Sequence, residues 1–276
     1  MKMVVVWFTV LVVLGLVIGL ILSLRFSDWI ADLRSAAAAE QTSVEAGIAE
    51  PPEIMRRFAE RNGGRTNGSA TVEARQRVQM RLSPGQRFFD MEATLVSGTR
   101  RPTFVWEATA SIAGVVPMRA LDSFVGGQGQ LEVRVAGVLP IAHATGPESD
   151  KGEIMRFLAE LAWNPDAILN ASALLWRQID ERTVEVSAPI AGGMAKVRQI
   201  FDVNGDILGI EADDRPYFVE GKPQSMRWIG RFRDYKEFGA YRVPSYGEVA
   251  WDLPDGEFLY WRGTILSFGS TDEIAP

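Results

Sequence analysis

Three charged residues at helical spacing are the best candidates for chemistry in this chain. Glu153, Arg156 and Glu160 stand at i, i+3 and i+7, so a helix would bring them to one side. Two carboxyl groups poised by an arginine could act as the general acid and general base of a hydrolase. The alternative is a set of ion pairs on a helix surface, worth about 0.2–0.5 kcal/mol each. We favour the structural interpretation and keep the hydrolase as an alternative.

The residues that the chain lacks narrow the remaining chemistry. His143 is the only histidine, so a Ser-His-Asp triad would have to use it, and a two-histidine zinc site is excluded. The chain has no cysteine, which excludes disulfides, cysteine-ligated zinc and thiol catalysis. We therefore expect His143 on the surface or at a strand end, and we predict neither a metal nor a cofactor.

Aromatic residues near the C-terminus point to binding instead of catalysis. Residues 258–261 place large aromatic side chains on both faces of one predicted strand, which is more than a single buried face requires. One of these faces could line an apolar cleft, or both could belong to a closed core. The candidate lining residues are Phe104, Trp106, Phe157, Trp163, Trp228, Trp251 and Trp261.

An uncharged apolar run from Val4 to Leu24 opens the chain. At the 1.5 Å rise of a helix it would span about 31 Å, the thickness of a bilayer's hydrocarbon core. The apolar core of a cleaved signal peptide is shorter, about 7–15 residues. The run predicts a transmembrane anchor over residues 1–25, which makes the lipid bilayer the first expected partner.

Small residues recur every fourth position within this run. Gly15, Gly19 and Ser23 would lie on one face of the helix and allow a second helix to approach closely. They are therefore the candidate face for a homodimer, although glycine and serine are also common in membrane helices without any such role.

The remainder reads as a stalk followed by one domain. Residues 26–50 are polar and alanine-rich, which is typical of a short helical stalk or a flexible linker. Residues 51–276 form a single predicted domain, large enough for one substantial core. The chain carries 29 Lys and Arg against 35 Asp and Glu. This acidic balance makes nucleic acid an unsuitable partner, because its phosphates bind cationic surfaces.

Most of the domain follows the period of two that is typical of half-buried strands. The pattern predicts roughly eight to ten antiparallel strands, with Asn204-Gly205 as a type I′ hairpin turn and Asp213-Asp214-Arg215 as a polar turn. A helix is predicted near residues 152–164, because Ile154, Phe157, Leu158 and Leu161 form an apolar stripe.

We therefore predict a mainly β fold of the α+β type. A transmembrane helix would be followed by a large curved antiparallel sheet, or half-barrel, with the mid-chain helix packed on its concave side.

A set of residues between about 100 and 265 resembles the pattern of a known protein family. They are Gly146-Pro147, Asp150, Gly152-Glu153, Arg156, Glu160, Trp163 and Pro165, then Phe201, Gly205, Trp228, Gly230, Phe232 and Tyr235, and finally Pro244, Gly247-Glu248, Trp251 and Tyr260 to Gly263. Together they resemble an uncharacterised bacterial family of single-span membrane proteins, classed as a domain of unknown function. The family implies no activity. The layout is more distantly similar to the half-barrels of LolA-type lipoprotein carriers, which hold acyl chains between sheet and helix.

The orientation in the membrane follows from the resemblance and not from charge. Lys2 flanks one end of the span, and Arg25 and Arg34 flank the other, so the positive-inside rule does not decide it. The resemblance implies a single-pass protein of the bacterial inner membrane, with its N-terminus in the cytoplasm and its domain outside. The function expected is a tethered, non-catalytic module that binds a lipid or other apolar ligand between sheet and helix. The alternatives are the carboxylate-based hydrolase and an assembly protein that dimerises through its membrane helix.

Overall fold

The computed structural model describes residues 2–42, 49–112, 114–219 and 222–271. Four α-helices lie in these ranges: α1 (Lys2–Glu40), α2 (Glu53–Arg61), α3 (Pro147–Ala159) and α4 (Pro165–Asn170), with a 3-10 turn at Glu160–Trp163 joining the last two. The first six strands are β1 (Thr71–Met80), β2 (Phe89–Gly98), β3 (Phe104–Ile112), β4 (Val116–Val125), β5 (Gln128–Val135) and β6 (Leu139–Ala144). The other seven are β7 (Leu175–Asp180), β8 (Thr183–Ile190), β9 (Gly193–Phe201), β10 (Ile207–Val219), β11 (Lys222–Phe238), β12 (Tyr241–Leu253) and β13 (Gly256–Ser270).

All of these strands belong to one antiparallel sheet. Its order is β6-β5-β4-β3-β2-β1-β13-β12-β11-β10-β9-β8-β7, so two meanders meet where β1 pairs with β13. Helix α3 lies between the two arms, in contact with β4 and β5 on one side and with β8, β9 and β10 on the other. The predicted half-barrel packed on a mid-chain helix is confirmed.

The predicted strand number is too low, because the described residues form 13 strands. Strand β4 shows why one was missed. Met118 and Ala120 face the concave side with Asp122, whereas Leu121 on the opposite face is fully buried in a second apolar cluster. With apolar side chains on both faces and an acid on the inner one, the sequence loses its alternation. The short strands β6 and β7 at the sheet edges were missed as well.

The C-terminal half of α1 packs on the convex face of the sheet. Phe26 and Ile30 are 1% and 2% exposed and pack with Val105 and Leu121. From the sequence, residues 26–50 are either a helical stalk or a flexible linker. In the structure, residues 26–40 continue α1 without a break and are docked, and residues 43–48 lie outside the described residues.

Polar contacts fix the direction of α1 relative to the strands. Arg34 pairs with Glu107 at 3.2 Å, and further along the helix Gln41 Nε2 donates to Thr103 Oγ1 at 2.9 Å. In the other direction, Arg119 Nη1 donates to Ser27 Oγ at 2.8 Å. The helix therefore runs along β3 and β4, and its apolar half projects beyond one end of these strands.

The two ends of the sheet consequently have different surroundings. We call the end nearer the apolar half of α1 the proximal end. It holds the β1–β2, β3–β4, β5–β6 and β12–β13 turns, together with the last described pair of β10 and β11, Val219 and Lys222. The distal end holds the β2–β3, β4–β5, β9–β10 and β11–β12 turns, together with α2. At the proximal end, a Cβ on Gly137 would lie 2.6 Å from Ser23 Oγ, so the β5–β6 turn touches α1.

The β9–β10 connection corrects one predicted turn type. The hairpin is present, but Asn204 is not among the residues with positive φ, whereas Gly205 has φ 79°. A type I′ turn needs positive φ at both central residues. Here the Asp202 carboxylate accepts from the backbone N–H groups of Asn204 and Asp206, at 2.8 and 2.9 Å, and stabilises a longer loop.

Leu121 tests the docking of α1. If the helix packs on the sheet, Leu121→Ala leaves a cavity at a fully buried position, and we expect a loss of about 2–5 kcal/mol in the free energy of unfolding. Denaturant unfolding of the full chain in detergent measures this loss. Leu208→Ala, at a position 43% exposed, is the control and should cost much less. Equal small losses for both variants would mean that α1 does not cover β4.

Candidate ligand-binding site

A largely apolar cavity of about 640 Å³ lies between the concave face of the sheet and the helical segment over residues 147–163. Both arms of the sheet contribute to its wall, and Ala159 and Trp163 close it from the helical side. The apolar residues of the wall are Met80, Leu82, Phe89, Met91, Trp106, Ala110, Met118, Ala120, Leu131, Val133, Ile141, Ala142, Ile210, Trp228, Phe232, Val249, Tyr260 and Trp261.

The helical side of the cavity is fixed by buried hydrogen bonds. Trp163 Nε1 donates to the carbonyl oxygen of Pro244 at 2.8 Å, and its ring lies against Phe232. Asn164 caps α4 by accepting from Ala167 N at 3.0 Å, and its Nδ2 donates to Gly98 O at 2.9 Å. These contacts hold the helix at a set distance from the sheet, so the cavity is part of the folded core and not a loose groove.

Four of the seven residues expected to line a cleft do so: Trp106, Trp163, Trp228 and Trp261. The other three lie within the packed core. Phe104 is fully buried beneath the Arg156 guanidinium, and Phe157 is 2% exposed. Trp251 stacks on Tyr260 with ring centroids 5.8 Å apart. Sequence spacing places an aromatic on a face, but it does not separate a wall residue from a core residue behind the wall.

The cavity opens toward the proximal end. Two of its wall residues, Leu82 and Ile141, are 70% and 52% exposed, whereas Trp106 and Trp228 are 4% and 2% exposed. Leu82 follows β1, and Met118 and Ile141 lie near the β3–β4 and β5–β6 turns. The rim therefore lies at the same end of the sheet as the apolar half of α1.

A buried charged group interrupts the apolar wall. Arg156 on α3 donates to Asp122 on β4 and, at 2.8 Å, to Glu160. The side chains of Arg156 and Glu160 are only 12% and 14% exposed, and burial raises the pKa of Glu160 above its usual range. The sequence predicts these ion pairs on the surface of a helix, and that location is wrong because the side chains are buried. They face the interior because the helix is enclosed by both arms of the sheet.

Glu153 lies behind this wall and does not line the cavity. Burial, followed by the neighbouring Asp122 carboxylate, raises the pKa of Glu153 well above its usual range. Among the described residues, no donor reaches Glu153 Oε2 or Asp122 Oδ1. A protonated Glu153 that donates to Asp122 would satisfy both oxygens.

Arg215 on β10 is the second cation of the wall and is 8% exposed. Its guanidinium carbon lies 4.1 Å from the centre of the Trp228 ring, and its Nη1 contacts the Tyr260 hydroxyl at 3.3 Å. The predicted polar turn at residues 213–215 is wrong, because these residues lie inside β10, where a register shift between Ala212 and Arg215 interrupts the ladder.

His143 and the small face of α1 lie away from the cavity wall. His143 is on β6 with its side chain 59% exposed, and its Nδ1 lies 2.7 Å from Glu132 Oε2. A Cβ on Gly19 would lie 3.8 Å from Val138 of the same chain, whereas one on Gly15 would meet nothing within 4 Å. The β5–β6 turn thus occupies part of the face that was expected to form a dimer.

The described residues show no candidate metal site, and a second cavity among them is mostly polar. Within these ranges, no group of three or more potential ligands is close enough to hold a metal ion. A second cavity of about 590 Å³ is lined largely by charged side chains, and its Arg198 is already paired with Glu211 and Asp213. Because Arg198 is paired with residues of the neighbouring strand, it does not indicate a ligand in this cavity.

Sequence reasoning missed Asp122 and Arg215. The available signal was an acid at an inward position of β4 and an arginine at an inward position of β10, each among apolar residues that face the concave side. This signal can be recognised only once the strands are assigned, because the register and the bulges of a strand decide which of its alternate residues face the concave side.

Fold and cavity together define a protein class in which a long apolar N-terminal helix precedes a curved sheet that encloses an apolar space beneath a second helix. The chain belongs to DUF6544, a family of unknown function, whose sequence profile matches residues 41–263. The predicted membership of a family of unknown function is confirmed. No curated protein matches the sequence significantly.

Solved structures with a similar fold have low sequence identity. A LolA superfamily protein from Nitrosomonas europaea is 13% identical, with a TM-score of 0.43 over 83% of this chain and 98% of that one. A structure described as an outer membrane lipoprotein-sorting protein domain, from Vibrio parahaemolyticus, is 12% identical, with a TM-score of 0.44 over 79% of this chain and 91% of that one.

Glu153→Gln tests the buried protonated carboxyl. Because the pKa is raised in the folded state, the native protein keeps a proton that the unfolded chain releases. Wild-type stability therefore falls as the pH rises from the usual glutamate range toward the folded pKa. The variant has no titrating carboxyl at position 153, so its free energy of unfolding does not fall in this way. We expect the variant to become more stable than wild type as the pH rises, by about 1.4 kcal/mol for each unit of the pKa shift that the pH range covers.

Denaturant unfolding at pH 5 and pH 8 measures the difference. Glu148→Gln, an exposed position at the start of the same helix, is the control and should follow wild type at both pH values. A Glu153→Gln variant with the pH dependence of wild type would show that Glu153 is ionised in the fold.

Proposed function

We propose that this protein is a membrane-tethered, non-catalytic module that binds a lipid or other apolar ligand in the cavity between sheet and helix. The observation that carries the proposal is the position of the cavity rim, at the end of the sheet next to the apolar half of α1. The cavity volume of about 640 Å³ lies in the usual range for small-molecule sites. A ligand there would meet mostly apolar side chains.

The tether is supported by the length and composition of α1. The segment Thr9–Glu40 contains an 18-residue window with a mean hydropathy of 2.5, of which only 6% is buried against the rest of the chain. A signal sequence passes the same test. The buried contacts of Phe26 and Ile30 favour a retained helix, because a chain cleaved after them would expose Leu121 and Val105.

The position of the proximal end follows from its contact with α1. Ser23 and Gly19 lie inside the apolar run, and the β5–β6 turn packs against both. A spanning helix would place this turn at the edge of the hydrocarbon core, since residues 4–24 cover about 31 Å of hydrocarbon and the turn contacts about the last five residues of that run. Large apolar side chains are exposed around the same end, namely Leu82, Val115, Leu139, Ile141, Phe218 and Val219. Their exposure fits a surface that meets lipid.

Binding is better supported than hydrolysis. A general acid and a general base must both reach the reacting group. Glu160 lines the cavity but is held by Arg156, and Glu153 lies behind the wall. The homodimer through Gly15, Gly19 and Ser23 remains a prediction, as does the cytoplasmic location of the N-terminus. The β5–β6 turn would compete with a second helix for Gly19 and Ser23.

Filling the cavity tests ligand binding. Ala110 lines the cavity on β3, and Ala110→Phe would occupy part of its volume. We expect native mass spectrometry of the wild-type full chain, released from detergent micelles, to show a retained lipid mass that the variant loses. Thr264→Phe adds the same ring at an exposed position and should keep the mass. A wild-type protein without any bound lipid mass would overturn the proposal.

Spin labels test the position of the proximal end. The chain has no cysteine, so Val115→Cys and Val203→Cys each provide a single labelling site without background. Both valines are exposed, at 81% and 84%, but they lie at the proximal and distal ends respectively. In reconstituted vesicles, we expect the label at residue 115 to be more accessible to oxygen than to a water-soluble nickel reagent. The label at residue 203 should show the reverse, and the same aqueous profile at both sites would contradict the proposed geometry.

A further inference from the structure

Arg215 stands out in the cavity wall because its charge has no contact counter-ion. It is 8% exposed, and among the described residues no carboxylate lies within salt-bridge distance of its guanidinium. Its contacts are the Tyr260 hydroxyl, the Trp228 ring and the Trp251 ring, the last at 5.6 Å. Rings and a hydroxyl orient a guanidinium, but they do not neutralise it.

Glu153 and Glu160 interact electrostatically with Arg215 but do not contact its guanidinium, and the carboxyl groups of the wall are engaged elsewhere. Glu248 pairs with Arg231 at 3.3 Å. Asp122 and Glu160 both contact Arg156, and Arg156 lies over the rings of Phe104 and Trp106. Glu153 is buried next to Asp122, where a carboxyl and a carboxylate can share one proton. Arg156 is therefore doubly paired within the protein, whereas Arg215 keeps its donors for another anion.

The shape of the site suits an amphiphile with one acidic end. A guanidinium offers a planar fork of donors that binds a carboxylate or a phosphate through paired hydrogen bonds. Arg215 lies opposite Met226 on β11, four residues before the proximal end of β10, and most of the remaining wall is apolar. A charged head at Arg215 and a hydrocarbon chain along the apolar side chains would each meet its own kind of surface.

We propose that the cavity binds a lipid-like amphiphile with an anionic head, that the carboxylate or phosphate of this head pairs with Arg215, and that the chain lies along the apolar wall. This assignment rests on the proposed function, because it needs the cavity to hold a ligand.

Photo-crosslinking of the full chain in phosphatidylcholine nanodiscs tests the assignment. The probes are palmitic acid, lysophosphatidic acid and hexadecanol, each with a diazirine in its chain, and mass spectrometry maps the labelled peptides. We expect at least one acidic probe to label cavity peptides about tenfold more than the neutral alcohol. A hydrogen bond to a charged group strengthens binding by about this factor. The stronger of the two acidic probes distinguishes a carboxylate head from a phosphate head.

Two variants connect the labelling to Arg215. Arg215→Gln should reduce acid labelling to the level of the alcohol, and Arg215→Lys should restore part of it. Arg227→Gln removes an exposed arginine of the neighbouring strand, paired with Glu211 and Asp252 at 3.0 Å, and should leave the labelling unchanged. Circular dichroism checks that each variant is folded. If Arg215→Gln does not fold, the ratio of acid to alcohol labelling on wild type decides.

The outcomes separate the two proposals. Equal labelling by acid and alcohol, blocked in both cases by Ala110→Phe, would overturn the anionic head and leave the apolar cavity as the ligand site. Acid labelling that Arg215→Gln does not reduce would overturn the role of Arg215. Cavity peptides that no probe labels would overturn the proposed function and the head assignment together.

Discussion

The structure depends on one packing constraint: a sheet of thirteen strands has a concave face that a single helical segment cannot fill. Helix α3 and the turn that follows it cover the middle of this face, and hydrogen bonds from Trp163 and Asn164 to the sheet fix their distance from it. The space that remains on the proximal side is the cavity. Its volume therefore follows from the width of the sheet and the length of the helix.

The convex face of the same sheet has a different cover. The C-terminal half of α1 packs on β3 and β4, so the direction of this helix is set by its contacts with the sheet. This docking places the cavity rim and the apolar half of α1 at one end. A flexible linker would leave the rim free to face any direction relative to α1.

The charged group within the cavity wall carries a cost in stability. Ion pairs removed from water are seldom better for stability than apolar side chains of similar size. Arg156 offsets this cost by contacting Asp122 and Glu160, whereas Arg215 has only rings and a hydroxyl. Retaining a buried guanidinium without a contact counter-ion in this mostly apolar wall is easier to explain by a bound ligand than by folding.

The sequence by itself determined the apolar N-terminal helix, the antiparallel sheet and the helix on its concave side. Each follows from a local period: an uncharged run long enough for a bilayer, alternation in most strands, and the stripe from Ile154 to Leu161. Four tryptophans of the cavity wall were also predicted, because large aromatic side chains exceeded what one buried face needs.

The tertiary structure alone decided the strand number, the placement of α1 and the polar part of the site. Strand β4 was missed because α1 covers its outer face, so that both of its faces carry apolar side chains. The local sequence cannot indicate packing against a helix more than eighty residues away. Glu153, Arg156 and Glu160 look like surface charges from their spacing, but the two arms of the sheet enclose them. Asp122 and Arg215 line the same cavity only because strands from opposite arms curl around α3. Burial and proximity between distant segments are properties of the whole fold, so the chemistry of the cavity could not be read from the chain.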